Sequence, residues 1–231
     1  ATVAALFTIM TKVGLYALLR LSTLMFGEEA GLLAGFASDT LLAFGLVTLV
    51  LAGVGVVGSL RLRISAAYLV LLSAGTLFVA FALAQPGTIS AGLYYLPHSC
   101  FAGAAMFMIA HIVQRERGLL GDRVLPTAPP LPRLTGSLYM VAAISIAGLP
   151  PLSGFIGKLQ LLNAVPEAQM GWLWTVILGS SLMTIIGLSR SGTRLFWRVD
   201  PAPDTTPPPP LRRVEVGATV ILLAYGIAMT L

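Results

Sequence analysis

Residues 138–162 read LYMVAAISIAGLPPLSGFIGKLQLL, and this stretch decides the fold class. It carries one charge, Lys158, and its centre holds Gly148, Pro150, Pro151 and Gly154. An unbroken helix of that length would run roughly 37 Å, more than a ~30 Å hydrocarbon core requires. The two prolines remove two backbone donors and clash with the preceding turn, and the two glycines loosen the chain beside them. In lipid, every backbone polar group needs an internal partner. A break at that depth is therefore tolerated only where it is buried in protein or lines a cavity, and transporters build ion sites at such breaks. The stretch predicts two half-helices separated by a turn or two of unwound chain at Gly148–Gly154, with Lys158 about two turns into the second half.

The rest of the chain has the same character. Hydrophobic residues make up 57% of 231 and charged residues 10%, with mean hydropathy +0.90. A water-facing surface needs about 25% charged residues. The sequence predicts an all-α membrane protein, a single transmembrane domain over residues 1–231 built as a bundle of about seven helices. The spans are Val3–Phe26, Thr40–Gly58, Ile64–Gln85, Ala91–Val113, Leu138–Leu162, Trp172–Leu188 and Val214 to the end. No alternating ten-residue strand pattern is present, so a barrel is excluded. The chain opens on Ala1 directly into an apolar run and stops at Leu231 within another, which predicts an internal piece of a longer membrane protein.

The charges set the orientation. Arg61 and Arg63 occupy the second connection, Arg115, Arg117, Arg123 and Arg133 the fourth, and Arg190, Arg194, Arg198, Arg212 and Arg213 the sixth. These are 11 of the 14 Lys and Arg. The odd connections hold Glu28, Glu29, Asp39 and Glu167, with Arg20 near one of them. The positive-inside rule puts the even connections in the cytoplasm. The same placement explains the high pI without nucleic acid as a partner. The longer basic connections are proline-rich, at Pro126, Pro129, Pro130 and Pro132 and again at Pro201, Pro203 and Pro207–Pro210, and read as extended spacers.

Several chemistries are absent from the sequence. Cys100 is the sole cysteine, so no intrachain disulfide, CxxC pair or thiolate metal site is available. Gly53, Gly55 and Gly58 spell GxGxxG, but they close an apolar span without a preceding strand or a following acid, and such small residues let helices approach closely. No haem motif, nucleophilic triad or metal-ligand spacing appears, and no cofactor is implied.

Three intramembrane groups remain. Lys12 lies roughly 15 Å along its helix from either end, beyond the reach of a ~6 Å stem to the headgroups. A central ammonium costs on the order of 3 kcal/mol, so it must face a partner or a wet cavity. Lys158 sits beyond the break. His98 follows Pro97 inside the fourth span, and an imidazole there suits a proton relay. His111, Trp172, Trp174 and Trp197 read as interfacial. The alternative reading is a scaffold bundle whose lysines pair with carboxylates.

The stretch Thr11-Lys12-Val13-Gly14-Leu15-Tyr16-Ala17-Leu18-Leu19-Arg20 resembles the lysine helix of the antiporter-like subunits shared by complex I and Mrp-type cation/proton antiporters. Gly148-Leu149-Pro150-Pro151-Leu152-Ser153-Gly154-Phe155, followed by Gly157-Lys158, is similar to the second broken helix of that family, in the form closest to its Mrp D-type branch. The resemblance implies that the chain is the C-terminal half of a subunit of about 14 helices in two inverted repeats, in a bacterial inner membrane. Its expected partners are the other subunits of a multisubunit antiporter complex, the lipid bilayer, protons and monovalent cations (Na⁺ or K⁺). By the same resemblance Lys12 links two half-channels, His98 relays in the second, and Lys158 is its terminal proton site. Gly103 stands where many relatives carry a further lysine, so Ser99 or a water chain would bridge that position. The second functional reading is a proton-pumping membrane subunit of a respiratory complex I or hydrogenase-type oxidoreductase.

Overall fold

The computed structural model describes residues 2–26, 38–125, 131–197 and 212–230. Glu28, Glu29, Arg198 and the proline tracts at 126–130 and 201–210 lie outside the described residues. Eight α-helices run through the rest: α1 Thr2–Met25, α2 Ser38–Gly58, α3 Leu62–Ala82, α4 Pro86–Glu116, α5 Arg133–Ala147, α6 Ser153–Asn163, α7 Glu167–Gly192 and α8 Arg213–Ala228. A 3-10 turn, Gly118–Leu120, follows α4, and a π-helical turn, Thr193–Trp197, extends α7. Among the described residues the β-type pairing is an isolated bridge between Arg61 and Arg123. Helices α2, α3, α4 and α7 are each long and apolar enough to cross a membrane. The protein is an all-α, multi-pass membrane protein, and the predicted fifth span is two helices, α5 and α6.

Boundaries shift where caps override hydropathy. The fourth helix begins at Pro86 rather than Ala91, because Gln85 and Thr88 form a reciprocal capping box and Pro86 occupies the first turn, where its missing N–H is harmless. The third helix correspondingly stops at Ala82, short of the predicted Gln85. Helix α4 then runs through Pro97 to Glu116. It is the axis of the bundle, packing against α1, α3, α5, α6 and α8.

Two of the three GxGxxG glycines serve helix packing, while Gly58 faces open space. A Cβ on Gly53 would lie 2.9 Å from Met183 Sδ on α7, and one on Gly55 would lie 2.3 Å from the Tyr68 ring on α3. Tyr139 Oη donates to Leu188 O at 2.7 Å, tying α5 to α7, and Trp174 Nε1 donates to Leu162 O at 3.2 Å, tying α7 to α6. Helix α8 is fastened to α4 at both ends. Arg115 Nη1 donates to Glu215 Oε2 at 2.5 Å, with His111 Nε2 3.7 Å from Oε1, and Tyr94 Oη donates to Met229 O at 2.7 Å.

The basic connections gather at one end of the bundle, linked by Arg61–Arg123, Arg63–Gln114 and Arg115–Glu215 contacts. By the charge rule this end is cytoplasmic. Cysteines introduced at exposed Leu125 and Arg212 in a Cys100→Ala background should label from the cytoplasm, and one at Glu167 from the opposite side. Labelling of all three from one side would overturn the topology.

Candidate functional site

Helix α5 ends at Gly148, whose φ of 77° lies in the left-handed region that favours glycine. Leu149 N donates to Ile144 O at 3.1 Å, a six-to-one closure of Schellman type. The Pro150–Pro151 peptide is cis, and α6 starts at Ser153. The unwound segment is therefore residues 148–152, shorter than the predicted Gly148–Gly154. Phe155 N donates to Leu152 O at 2.9 Å, so Gly154 lies in the first turn of α6 rather than in the break. Its role is spatial. A Cβ there would stand 2.1 Å from Ser145 O and 2.8 Å from His98 Nε2.

The break positions Lys158 through a missing donor. In a continuous helix Ala147 O would accept from the N–H of residue 151, but Pro151 has none. Lys158 Nζ takes that place, donating to Ala147 O at 3.0 Å and to Ser181 Oγ on α7 at 3.0 Å. Gly148 makes room, since a Cβ on it would lie 2.9 Å from Lys158 Cδ. The lysine is 6% exposed and borders a cavity of about 220 Å³ lined in part by Phe155, Leu159, Leu178 and Leu182.

His98, 1% exposed, sits on α4 with Nδ1 2.8 Å from Ser153 Oγ, the first residue of α6. The histidine thus meets one end of α6 while Lys158 turns toward α7. His98 reaches α6 at its start, and the hydrogen bonds of His98 and Lys158 go to different partners. Lys12, also 1% exposed, donates through Nζ to Ser73 Oγ at 2.5 Å and to Val70 O at 3.4 Å, and Ser73 Oγ donates onward to Val70 O at 2.7 Å. A cleft of about 10 Å³ lies between the two groups, lined by Ser73, Tyr95, His98, Ser99 and Gly103 among others. That is near the lower limit for one water. Ser99 itself donates to Leu96 O at 2.8 Å in its own helix. Gly103 lies under α1, where a Cβ would meet Thr8 Cγ2 at 3.1 Å.

Among the described residues the ion pairs all go to Glu215, so neither buried lysine has a carboxylate partner. Both are held by neutral oxygens, one serine hydroxyl and one carbonyl each. Ser73, Ser153 and Ser181 were not singled out in the sequence. Their signal there was only a hydroxyl inside an apolar span.

These features define a class: a multi-pass helical bundle with one apolar stretch broken at a proline pair and amino groups buried inside the bundle on neutral oxygens. The chain belongs to the family described as NADH:quinone oxidoreductase/Mrp antiporter, TM, which matches residues 1–184. It is 31% identical, over 99% of its length, to the probable K⁺/H⁺ antiporter D-type subunit of Rhizobium meliloti, covering 47% of that protein. It is 29% identical, over 85%, to the Na⁺/H⁺ antiporter D-type subunit of Bacillus subtilis, covering 39%. It is 30% identical, over 68%, to an N-type subunit of NADH-quinone oxidoreductase from Sorangium cellulosum, covering 31%. The chain therefore spans about half the length, or less, of the curated relatives it matches. Among solved structures, the Mrp complex from Dietzia sp. DQ12-45-1b shares the fold at TM-score 0.76 and 22% identity, over 95% of this chain and 48% of that one. Respiratory complex I from Thermus thermophilus shares it at TM-score 0.73 and 19% identity, over 98% and 46%.

Proposed function

We propose that the chain is the C-terminal half of a subunit of about 14 helices, a proton-translocating membrane component of a monovalent cation/proton antiporter complex in a bacterial inner membrane. In this reading it is a transporter subunit rather than an enzyme. The observation that carries the reading is that Lys12 and Lys158 are both buried inside the bundle on a hydroxyl and a carbonyl, with no carboxylate partner among the described residues. A lysine kept permanently charged for structure would be matched by a carboxylate. One bound to neutral oxygens can alternate between ammonium and amine, since both forms keep a hydrogen bond. Lys12, His98 and Lys158 then act in sequence. The cleft beside Ser73 and Ser99 joins the first two, and the Ser153 hydroxyl and the broken turn join the last two. The similarity to D-type antiporter subunits favours Na⁺ or K⁺ as the exchanged cation and the other subunits of such a complex as partners.

Lys12→Ala in the full-length subunit within its complex is expected to insert and assemble yet lose proton-coupled Na⁺ or K⁺ efflux from proteoliposomes. Full antiport by that variant would return the chain to the scaffold reading. The second reading, a pumping subunit of a respiratory oxidoreductase, is supported by the 30% identity to a NADH-quinone oxidoreductase subunit. Proton flux in proteoliposomes that requires NADH and quinone, and no Na⁺ or K⁺, would favour it.

A further inference from the structure

At the basic end of the bundle, the segments joining α2 to α3 and α4 to α5 meet as a short antiparallel bridge. Leu62 N donates to Asp122 O and Val124 N to Leu60 O, each at 2.8 Å. These bonds flank Arg61 and Arg123, which stand opposite each other as a non-hydrogen-bonded pair. In such a pair the two Cα atoms are only ~4.5 Å apart and both side chains leave by the same face. Both arginines are exposed. Like charges placed directly opposite repel, and among the described residues neither has an ion-pair partner. Asp122 is buried, and its Oδ2 accepts the Arg63 amide at 3.0 Å.

The bridge is held rigidly from beneath. Arg117, 5% exposed, donates through Nη1 to Arg123 O and through Nη2 to Leu125 O at 2.8 Å. A buried guanidinium and a buried carboxylate thus fix the backbone that sets two repelling cations side by side. Around them Leu60, Ile64 and Leu125 are exposed, and Arg61 immediately precedes the membrane-crossing helix α3. Paired guanidinium forks match the oxygens of a phosphate. Basic sites at the cytoplasmic ends of membrane helices take anionic headgroups. The exposed aliphatic residues beside the pair suit acyl chains, which an acidic protein segment lacks.

We propose that Arg61 and Arg123 form a binding site for the phosphate headgroup of an anionic phospholipid of the cytoplasmic leaflet, with Leu60, Ile64 and Leu125 against its acyl chains. The test is photocrosslinking in the full-length complex, with benzoylphenylalanine in place of Leu125, in vesicles of equal phosphatidylglycerol and phosphatidylcholine. Mass spectrometry of the adducts should show phosphatidylglycerol over phosphatidylcholine by about fivefold or more. Arg61→Gln with Arg123→Gln should bring the ratio to about one, while Arg61→Lys with Arg123→Lys retains a preference. A ratio of one in the complex with both arginines present, adducts to another subunit in place of lipid, or an unchanged ratio in the glutamine variant would each overturn the site.

Discussion

Lys158→Ala, in the full-length subunit within its complex, is expected to abolish cation-driven proton flux while the complex still inserts and assembles. The alanine leaves Ala147 O and Ser181 Oγ without their donor. Ala147 and Ser181 both line a cavity of about 220 Å³, roomy enough for water to replace the ammonium, so the fold is expected to survive. Transport should fall to the level of protein-free liposomes, read by a pH-sensitive dye on addition of Na⁺ or K⁺. Lys158→Arg is the sharper variant. A guanidinium keeps the charge and can donate to both oxygens, but it does not release a proton in a protein. It is also longer, and the space beside Gly148 is already tight, with Lys158 Cδ 2.9 Å from where a Cβ would be. Normal transport by Lys158→Arg would remove proton exchange from this position. Normal transport by Lys158→Ala would make the lysine structural at most.

Gly154→Ala should be the most damaging glycine-to-alanine substitution among the described residues. The added methyl would stand 2.1 Å from Ser145 O, a backbone atom at the end of α5, and 2.8 Å from His98 Nε2. A flexible side chain can yield to such an intrusion, but the carbonyl is fixed by the closure at Gly148, so α6 itself has to move. Overpacking costs about 1–3 kcal/mol and sometimes more, and rigid backbone on the far side puts this site at the upper end. Displacing α6 also pulls Ser153 Oγ from His98 Nδ1, now 2.8 Å away, so transport should fail along with stability. Gly179→Ala on α7 is the matched control, because a Cβ there meets nothing within 4 Å. The expected result is a lowered midpoint of thermal unfolding in detergent for Gly154→Ala and an unchanged or raised one for Gly179→Ala. Equal midpoints would show that the break accommodates a side chain at 154.

The helices, the gathering of the basic connections at one end and the break were legible in the sequence because each rests on a local cause. Apolar length selects a membrane crossing, arginine placement selects a side, and a proline pair cannot continue a helix wherever it occurs. Helix ends at Ala82 and Pro86 were less legible, since Gln85 and Thr88 cap each other through side-chain geometry that hydropathy does not register. That Ala147 O loses its donor also follows from Pro151 alone. What fills the gap does not follow. Lys158 reaches it only because residues 148–152 turn α6 back against the end of α5, an angle set by packing on α4.

The serines mark the same limit. Ser73 lies in a helix that is apolar nearly all round, Ser153 opens the short α6 and Ser181 is one of several hydroxyls along α7, so periodicity does not say which of them face inward. Each becomes a partner of Lys12, His98 or Lys158 only once another helix is placed opposite it. Gly154 looked like part of the unwound turn and is instead the space into which His98 fits. The sequence by itself determined where charge is buried and where the backbone is interrupted, because both are properties of single residues in lipid. Only the tertiary structure decided which oxygens receive those protons, because a hydrogen bond depends on the crossing of two helices.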